Sequence, residues 1–107
     1  MGNNDTLRIG NKSFKNRLML GTGKYKSPNL MVDSLKSSNC EIVTVAVRRV
    51  KHNDDKDNLM QFIDWNKYWM LTNTAGCTNS DEAIRIAMLG RELAKLSGQE
   101  NNNLVKL

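Results

Sequence analysis

The six residues Ile42–Val47 constrain the fold of this 107-residue chain more than any other feature, because they read Ile-Val-Thr-Val-Ala-Val. Nearly every position is β-branched or apolar, so both faces of a strand built from them must be covered. An antiparallel strand with one solvent-exposed face would alternate apolar and polar residues instead. The run is typical of a central strand in a parallel sheet, and parallel strands need long crossover connections, usually helices.

Shorter elements precede this strand. Thr6–Phe14 is predicted to form a hairpin, because apolar and polar residues alternate around a Gly-Asn turn pair. Leu18–Leu20 is predicted as a short buried strand that ends at a Gly-Thr-Gly loop. Ser27 is a good N-cap and Pro28 fits a first helical turn, so a helix of about three turns should follow.

The remaining segments repeat this order of strand and helix. A charged stretch, Arg48–Asp57, is followed by a short amphipathic piece, a strand, a capped helix, a polar connector and a last strand. In chain order these later elements are predicted at Leu59–Ile63, Tyr68–Leu71, Asn79–Gly98, Gln99–Asn103 and Leu104–Leu107. At the start of the helix, Asn79 and Glu82 have the spacing of a capping box.

A hairpin, three strand-helix units and a further strand predict an α/β fold with a parallel sheet. A bare parallel strand is a poor end for an independent domain, since it needs a neighbour in the ladder and a helix over its outer face. We therefore expect either a protected sheet edge or the first part of a longer protein. A (β/α)8 TIM barrel takes about 250 residues. In that case residues 1–107 are the N-terminal part of one TIM-barrel domain: the N-terminal hairpin, the first three βα units and the start of the fourth strand, after a disordered start at residues 1–5.

Charge and composition exclude several function classes. The formal net charge is +5 and the isoelectric point is about 9.4, which first suggests nucleic-acid binding. Basic residues are scattered, however, and the acidic stretch Asp54–Asp57 follows the one cluster at Arg48–Lys51, so we predict no nucleic-acid partner. No window has the apolar length of a membrane span, and we predict no membrane partner. One histidine and two isolated cysteines exclude a His-rich metal site and a disulfide scaffold, and we expect no metal and no cofactor.

Three features near strand ends suggest chemistry but have plainer interpretations. Gly21–Lys24 suggests a phosphate loop, but a Walker motif needs Gly and Ser or Thr where Leu18 and Tyr25 stand, so a tight turn is favoured. Arg48 and Arg49 would face the mouth of a barrel and could pair with a carboxylate or phosphate, although solvated side chains or structural ion pairs are favoured.

The third feature is a cysteine. Cys77 follows a loop and precedes a helix N-terminus, a position that can activate a thiol. No histidine lies near it in the sequence. A free cysteine is most often a small buried hydrophobe, so a structural role is favoured for Cys77.

Lys106 is the candidate catalytic residue. The two-residue period of a strand places Leu104 and Lys106 on one face and Val105 and Leu107 on the other. In a barrel strand one face meets the helices and the other meets the interior. Val105 and Leu107 suit the helices, so Lys106 would point inward. A lysine amine kept neutral there is a nucleophile able to form an imine with a ketone. The open alternative is an exposed lysine in a frayed end.

Four stretches of the chain carry a resemblance to a known family. They are Arg17-Leu-Met-Leu-Gly-Thr-Gly-Lys-Tyr25, Glu41-Ile-Val-Thr-Val-Ala-Val-Arg-Arg49, Asn73-Thr-Ala-Gly-Cys77 with Glu82-Ala-Ile-Arg85, and Leu104-Val-Lys-Leu107. In this order and spacing, from Leu7 to Leu107, they resemble the N-terminal part of the thiazole synthases, most closely the cyanobacterial and plastid branch. Thr72 departs from the family, which usually has proline before Asn-Thr-Ala-Gly.

The resemblance implies a (β/α)8 enzyme of thiamine biosynthesis, a transferase that makes thiazole phosphate carboxylate. Its implied substrates are 1-deoxy-D-xylulose 5-phosphate, dehydroglycine and sulfur, the last delivered as the C-terminal thiocarboxylate of a small ubiquitin-like carrier protein. The family's Schiff-base lysine, in the fourth strand, falls on Lys106, in agreement with the inward orientation. The resemblance also implies a homo-oligomer.

The family's acid/base carboxylates and phosphate-binding loops belong to later strands and fall outside these 107 residues. We therefore expect the chain alone to be inactive and to fold poorly, because an unclosed barrel exposes strand edges and helix faces. No Arg- and Ser-rich leader is present, which suggests a bacterial cytoplasm or, for an organelle-encoded protein, the plastid stroma. Two alternatives stay open at this point: a small basic RNA-binding module and a non-functional truncated product.

Overall fold

The central strand predicted at Ile42–Val47 is present and is paired on both sides. The computed structural model describes residues 6–23, 25–47 and 59–107. Strands β1 and β2 form an antiparallel hairpin, and β3-β4-β5-β6 form one parallel sheet in that order. In chain order the elements are β1 (Leu7–Ile9), β2 (Lys12–Phe14), β3 (Met19–Leu20), α1 (Pro28–Ser38), β4 (Ile42–Ala46), a 3₁₀ turn (Leu59–Phe62), β5 (Trp69–Asn73), α2 (Ser80–Leu96) and β6 (Val105–Lys106).

Strand β4 is buried from both sides. Ile42 and Val43 are 0% exposed and Val45 is 3% exposed. Ile42 packs with Phe14 of the hairpin, whereas Val43 packs with Met31 of α1. Burial of one branched aliphatic side chain contributes about 1.5–3 kcal/mol, so this strand is a main source of stability. The prediction of a central parallel strand is confirmed.

The two faces of the sheet are covered by different elements. Both α-helices lie on one face, since Val43 packs in the cluster of α1 and Val45, two residues further on, packs with Ala94 of α2. The opposite face carries the hairpin, whose Phe14 packs on Ile42. A doubly wound sheet has helices on both faces and a reversal in strand order, and the described residues show neither. Sequential strands with helices on one face are compatible with part of a TIM barrel.

Both helices begin at the predicted caps. Ser27 Oγ accepts a hydrogen bond from Leu30 N at 3.2 Å, and Pro28 opens α1. Asn79 Oδ1 accepts from Glu82 N at 2.8 Å at the start of α2. These bonds satisfy amide groups that have no partner inside the first helical turn, which is why Ser and Asn mark both starts in the sequence.

Several strand bounds differ from the sequence prediction by one or two residues, and two differences have a clear physical cause. The strand predicted at Tyr68–Leu71 corresponds to β5, which starts one residue later. Tyr68 N donates to Asp64 O at 3.1 Å and closes a turn instead. Trp69 N is the first to bond across the sheet, to Glu41 O at 2.7 Å. The second strand-helix unit contains, within the described residues, a 3₁₀ turn rather than an α-helix. The apolar segment Leu59–Ile63 is too short to form a stable α-helix.

Some predictions concern residues outside the described ranges. They are the disordered start at residues 1–5, Lys24 of the glycine loop, and the charged stretch with Arg48 and Arg49. Within the described ranges no helix is long and apolar enough to cross a membrane. In the same residues, no three His, Cys, Asp or Glu side chains cluster as a metal site requires.

Helix α2 approaches β5 at a glycine. A Cβ added at Gly90 would lie 2.5 Å from Thr72 Oγ1 and 2.8 Å from Thr72 Cβ. Thr72 is 2% exposed, so its side chain has no free space to move into. Helix α2 can therefore lie this close to the sheet only because residue 90 is glycine and has no side chain.

We predict that Gly90→Ala destabilises the full-length protein that carries this chain. Alanine normally stabilises a helix interior by about 1 kcal/mol relative to glycine, but the clash with Thr72 should cost about 1–3 kcal/mol. Thermal unfolding of the variant is the measurement, and Thr72→Ala in the same chain, which removes the closest atom, should recover part of the loss. An increase in the unfolding temperature of Gly90→Ala would contradict this packing.

Candidate active site

Neighbouring strands contribute rows of side chains to the face that carries the hairpin. The register pairs Ile42 with Trp69 and Ala46 with Asn73, and Asn73 pairs in turn with Lys106. Paired residues of parallel strands point to the same face, and side chains alternate along each strand. Ala46, Asn73 and Lys106 therefore form one row at the carboxyl ends of β4, β5 and β6, which we call the rim row.

The hairpin covers the opposite, amino end of this face. Phe14 is 2% exposed and packs against Ile42, with Trp69 beside it. The Lys12 ammonium lies 4.3 Å from the centroid of the Trp69 ring, a cation–π distance. Apolar groups thus fill the amino end, while the rim row is half-buried or exposed. Ligands of parallel α/β folds bind at the carboxyl ends of the strands.

Strand β3 is followed by the segment Gly21–Gly23, which lies next to β4. The Thr22 hydroxyl donates a hydrogen bond to Thr44 O at 3.1 Å. A Cβ added at Gly21 would lie 3.5 Å from Thr44 Oγ1, which is an ordinary contact. The Thr22 side chain therefore ties this segment to β4, while the tight turn over Gly21–Lys24 stays a prediction, since Lys24 lies outside the described residues.

Lys106 lies on the face that strand periodicity predicted. Val105 pairs with Thr72, whose side chain faces Gly90 of α2, and Leu104 packs against the hairpin cluster. Alternation along β6 then places Lys106 on the hairpin face, where its side chain is exposed at the rim. The Lys106 carbonyl oxygen accepts a hydrogen bond from Thr74 N at 3.1 Å, which fixes the backbone of β6 against the end of β5.

Two buried side-chain amides hold β6 in this register. Gln99 Oε1 accepts from Met70 N at 3.0 Å, and Gln99 Nε2 donates to Tyr68 O at 2.9 Å. Asn102 Nδ2 donates to Met70 O at 2.6 Å, and Asn102 Oδ1 accepts from Leu104 N at 3.0 Å. The two amides bond to the edge of β5 before β6 begins, where backbone pairing would otherwise be needed. They therefore determine where the lysine is placed.

The sequence does not reveal the buried amides of Gln99 and Asn102, because Gln99–Asn103 is predicted only as a polar connector. Gln99 is 5% exposed and Asn102 is 2% exposed, whereas Asn101 and Asn103 are exposed. A buried amide and its exposed neighbours are the same residue types, so no local pattern separates them. The available signal was their position directly before a predicted sheet strand.

The loop after β5 adds polar groups next to the rim row. Asn73 Oδ1 accepts from Ala75 N at 3.1 Å, which is an Asx turn. Cys77 N donates to Thr74 O at 3.1 Å. Cys77 is half-buried, and so less enclosed than the small buried hydrophobe favoured by the sequence, whereas Cys40 is 4% exposed in the cluster of α1.

A parallel sheet with helices on one face, a filled amino end and a polar carboxyl rim is the arrangement of barrel-type α/β proteins. The profile of the family described as thiazole biosynthesis protein ThiG matches residues 8–107. This chain therefore belongs to the ThiG family.

Curated relatives agree with this assignment. The thiazole synthase of Prochlorococcus marinus strain MIT 9312 is 67% identical over 107 residues, which is 100% of this chain and 40% of the relative. The thiazole synthase of strain MIT 9215 is 64% identical over the same shares, and that of strain NATL1A is 63% identical over 97% of this chain and 39% of its own length. The chain thus spans about two fifths of these relatives and corresponds to their N-terminal portion.

We predict that Asn102→Ala destabilises the full-length protein by about 1–3 kcal/mol, because Met70 O and Leu104 N lose a buried hydrogen-bond partner. Chemical or thermal unfolding checks the value. Asn101→Ala and Asn103→Ala are matched controls, since exposed substitutions usually change stability by less than about 0.5 kcal/mol. Equal effects for all three variants would show that the buried network does not hold β6.

Proposed function

We propose that this chain is the N-terminal part of a thiazole synthase of thiamine biosynthesis, a transferase. The enzyme would condense 1-deoxy-D-xylulose 5-phosphate, dehydroglycine and sulfur into thiazole phosphate carboxylate. The sulfur would come from the C-terminal thiocarboxylate of a ubiquitin-like carrier protein. Membership of the ThiG family and relatives named thiazole synthase support this proposal.

The observation that carries the proposal is the position of Lys106. It stands in the last described strand, at the carboxyl end of a parallel sheet, on the face opposite both helices. Closure of the sheet into a barrel would turn this face inward, which removes the lysine from bulk water. A lysine in that place is suited to covalent chemistry with a carbonyl substrate.

In the proposed reaction Lys106 Nζ attacks the ketone carbon of the sugar phosphate. The new C–N bond forms as the carbonyl electron pair moves to oxygen, and loss of water leaves an imine. The imine allows protons to move along the sugar carbon chain until the sulfur adds. General acid/base groups and the phosphate-binding loop would come from the part of the protein that follows these residues.

The remaining elements of the proposal concern the assembled enzyme. We place it in a bacterial cytoplasm or, for an organelle-encoded protein, in the plastid stroma, as a homo-oligomer. The exposed apolar residues on α2 and β6 indicate surfaces that the rest of a barrel would cover. They are Ile84, Met88, Leu89, Leu96 and Val105, which are 42% to 82% exposed.

We predict that borohydride traps the ketose phosphate on Lys106. The full-length protein is incubated with 1-deoxy-D-xylulose 5-phosphate, reduced, digested and analysed by peptide mass spectrometry. Lys106→Arg should abolish the adduct, because a guanidinium does not form an imine, while Lys95→Ala on the surface of α2 should keep it. An adduct on a different lysine, or none in the unmodified enzyme, would refute the assignment.

We also predict that residues 1–107 alone neither form thiazole nor unfold cooperatively. In the described sheet β6 has one free edge, and the α2 side chains named above are exposed, so the isolated chain buries too little apolar surface. Circular dichroism during heating and a thiazole assay test this. A sharp thermal transition together with product formation would overturn it.

A further inference from the structure

Asn73 is the direct neighbour of Lys106 across the β5-β6 pair. The two are register partners, and neighbouring strands lie about 4.8 Å apart. Both belong to the rim row, on the face opposite the helices. The third member of the row, Ala46, pairs with Asn73 on its other side and carries only a methyl group. Among the described residues, Asn73 is therefore the polar side chain directly next to Lys106 in this row, within reach of whatever Lys106 binds.

The carboxamide of Asn73 has a fixed orientation and a free donor. Its Oδ1 accepts from Ala75 N at 3.1 Å, so the loop holds the amide plane. Its Nδ2 has no hydrogen-bond partner within the described residues, and the side chain is half-buried rather than fully solvated. A strand residue held by an Asx turn, with its two amide hydrogens unused, is a preorganised hydrogen-bond donor.

We infer that Asn73 is a catalytic residue that contacts the substrate. Its Nδ2 donates a hydrogen bond to the ketone oxygen of the sugar phosphate while Lys106 attacks the neighbouring carbon. This inference rests on the proposed imine chemistry and adds the group that binds the oxygen.

The chemistry needs such a donor at one step. When the Lys106 amine adds to the carbonyl carbon, the C–N bond forms and the C=O π pair moves to oxygen, which becomes negative. The nitrogen then releases a proton and the oxygen gains one, which gives a neutral carbinolamine. The carbinolamine loses its hydroxyl and the remaining N–H proton as water, and the imine is left. A donor aimed at this oxygen lowers the barrier, and removal of one such donor elsewhere costs about 100-fold in rate.

Two substitutions separate this role from support of the loop. Asn73→Asp keeps an oxygen that accepts from Ala75 N but removes the Nδ2 donor, whereas Asn73→Ala removes both. Asn79→Asp is the matched control, because Asn79 Oδ1 also accepts a backbone N–H, from Glu82, and lies outside the rim row. The rate of adduct formation is measured by quenching the full-length enzyme and 1-deoxy-D-xylulose 5-phosphate with borohydride at set times.

We expect Asn73→Asp and Asn73→Ala each to slow adduct formation by about 100-fold. Asn79→Asp should form the adduct at the unmodified rate, and thermal unfolding of Asn73→Asp should match that of the unmodified protein. An unchanged rate in Asn73→Asp would overturn the inference, since the asparagine would then only shape the loop.

The pH dependence of the rate tests whether the negative charge introduced by Asn73→Asp, and not the lost donor, slows the reaction. The new carboxylate could slow the reaction by keeping the neighbouring lysine protonated, and that effect fades as the pH is raised. If adduct formation in Asn73→Asp stays slow at high pH, the missing Nδ2 donor explains the loss and the inference is supported. If the rate recovers at high pH, the inference is overturned. If the unmodified enzyme forms no adduct on Lys106, the proposed function fails instead, and this outcome is distinct from either result for Asn73.

Discussion

The parallel pairing of β4 with β5 is the interaction on which the rest of the structure depends. It runs over five residue pairs, from Ile42–Trp69 to Ala46–Asn73, and is the longest pairing in the described sheet. The helices pack on one side of these two strands and the hairpin on the other. Because side chains alternate, one register decides which residues face the helices and which face the hairpin and the rim row. A slip by one residue would exchange the side chains that face the helices with those that face the hairpin.

Much of this fold could be predicted from sequence, because its elements carry strong local signals. The β-branched run at Ile42–Ala46 required burial on two faces, and Ser27 and Asn79 marked the helix starts. The start of β5 was wrong by one residue, since Tyr68 is apolar enough for a strand but its amide closes a turn with Asp64. Whether Tyr68 belongs to the strand or to the preceding turn depends on this hydrogen bond, which secondary-structure propensities do not describe.

The candidate site was predictable only in part. Alternation along Leu104–Leu107 predicts the face of Lys106 that the register of β6 also gives, while its catalytic role stays a prediction from the family resemblance. The buried amides of Gln99 and Asn102 were not predictable, because their function is to replace backbone pairing at one strand edge. The position of the Asn73 Nδ2 donor could not be predicted either, since it depends on the register of β6 against β5 and on the hydrogen bond from Ala75 N.

We propose that Lys106 and Asn73 share the inner rim of a barrel and act on one carbonyl. A crystal structure of the full-length protein, reduced with borohydride in the presence of the ketose phosphate, tests it most directly. We expect continuous density from Lys106 Nζ to the sugar, with the Asn73 amide facing the same sugar from the neighbouring strand. Lys106 directed toward the helices, or the sugar joined to another residue, would contradict it.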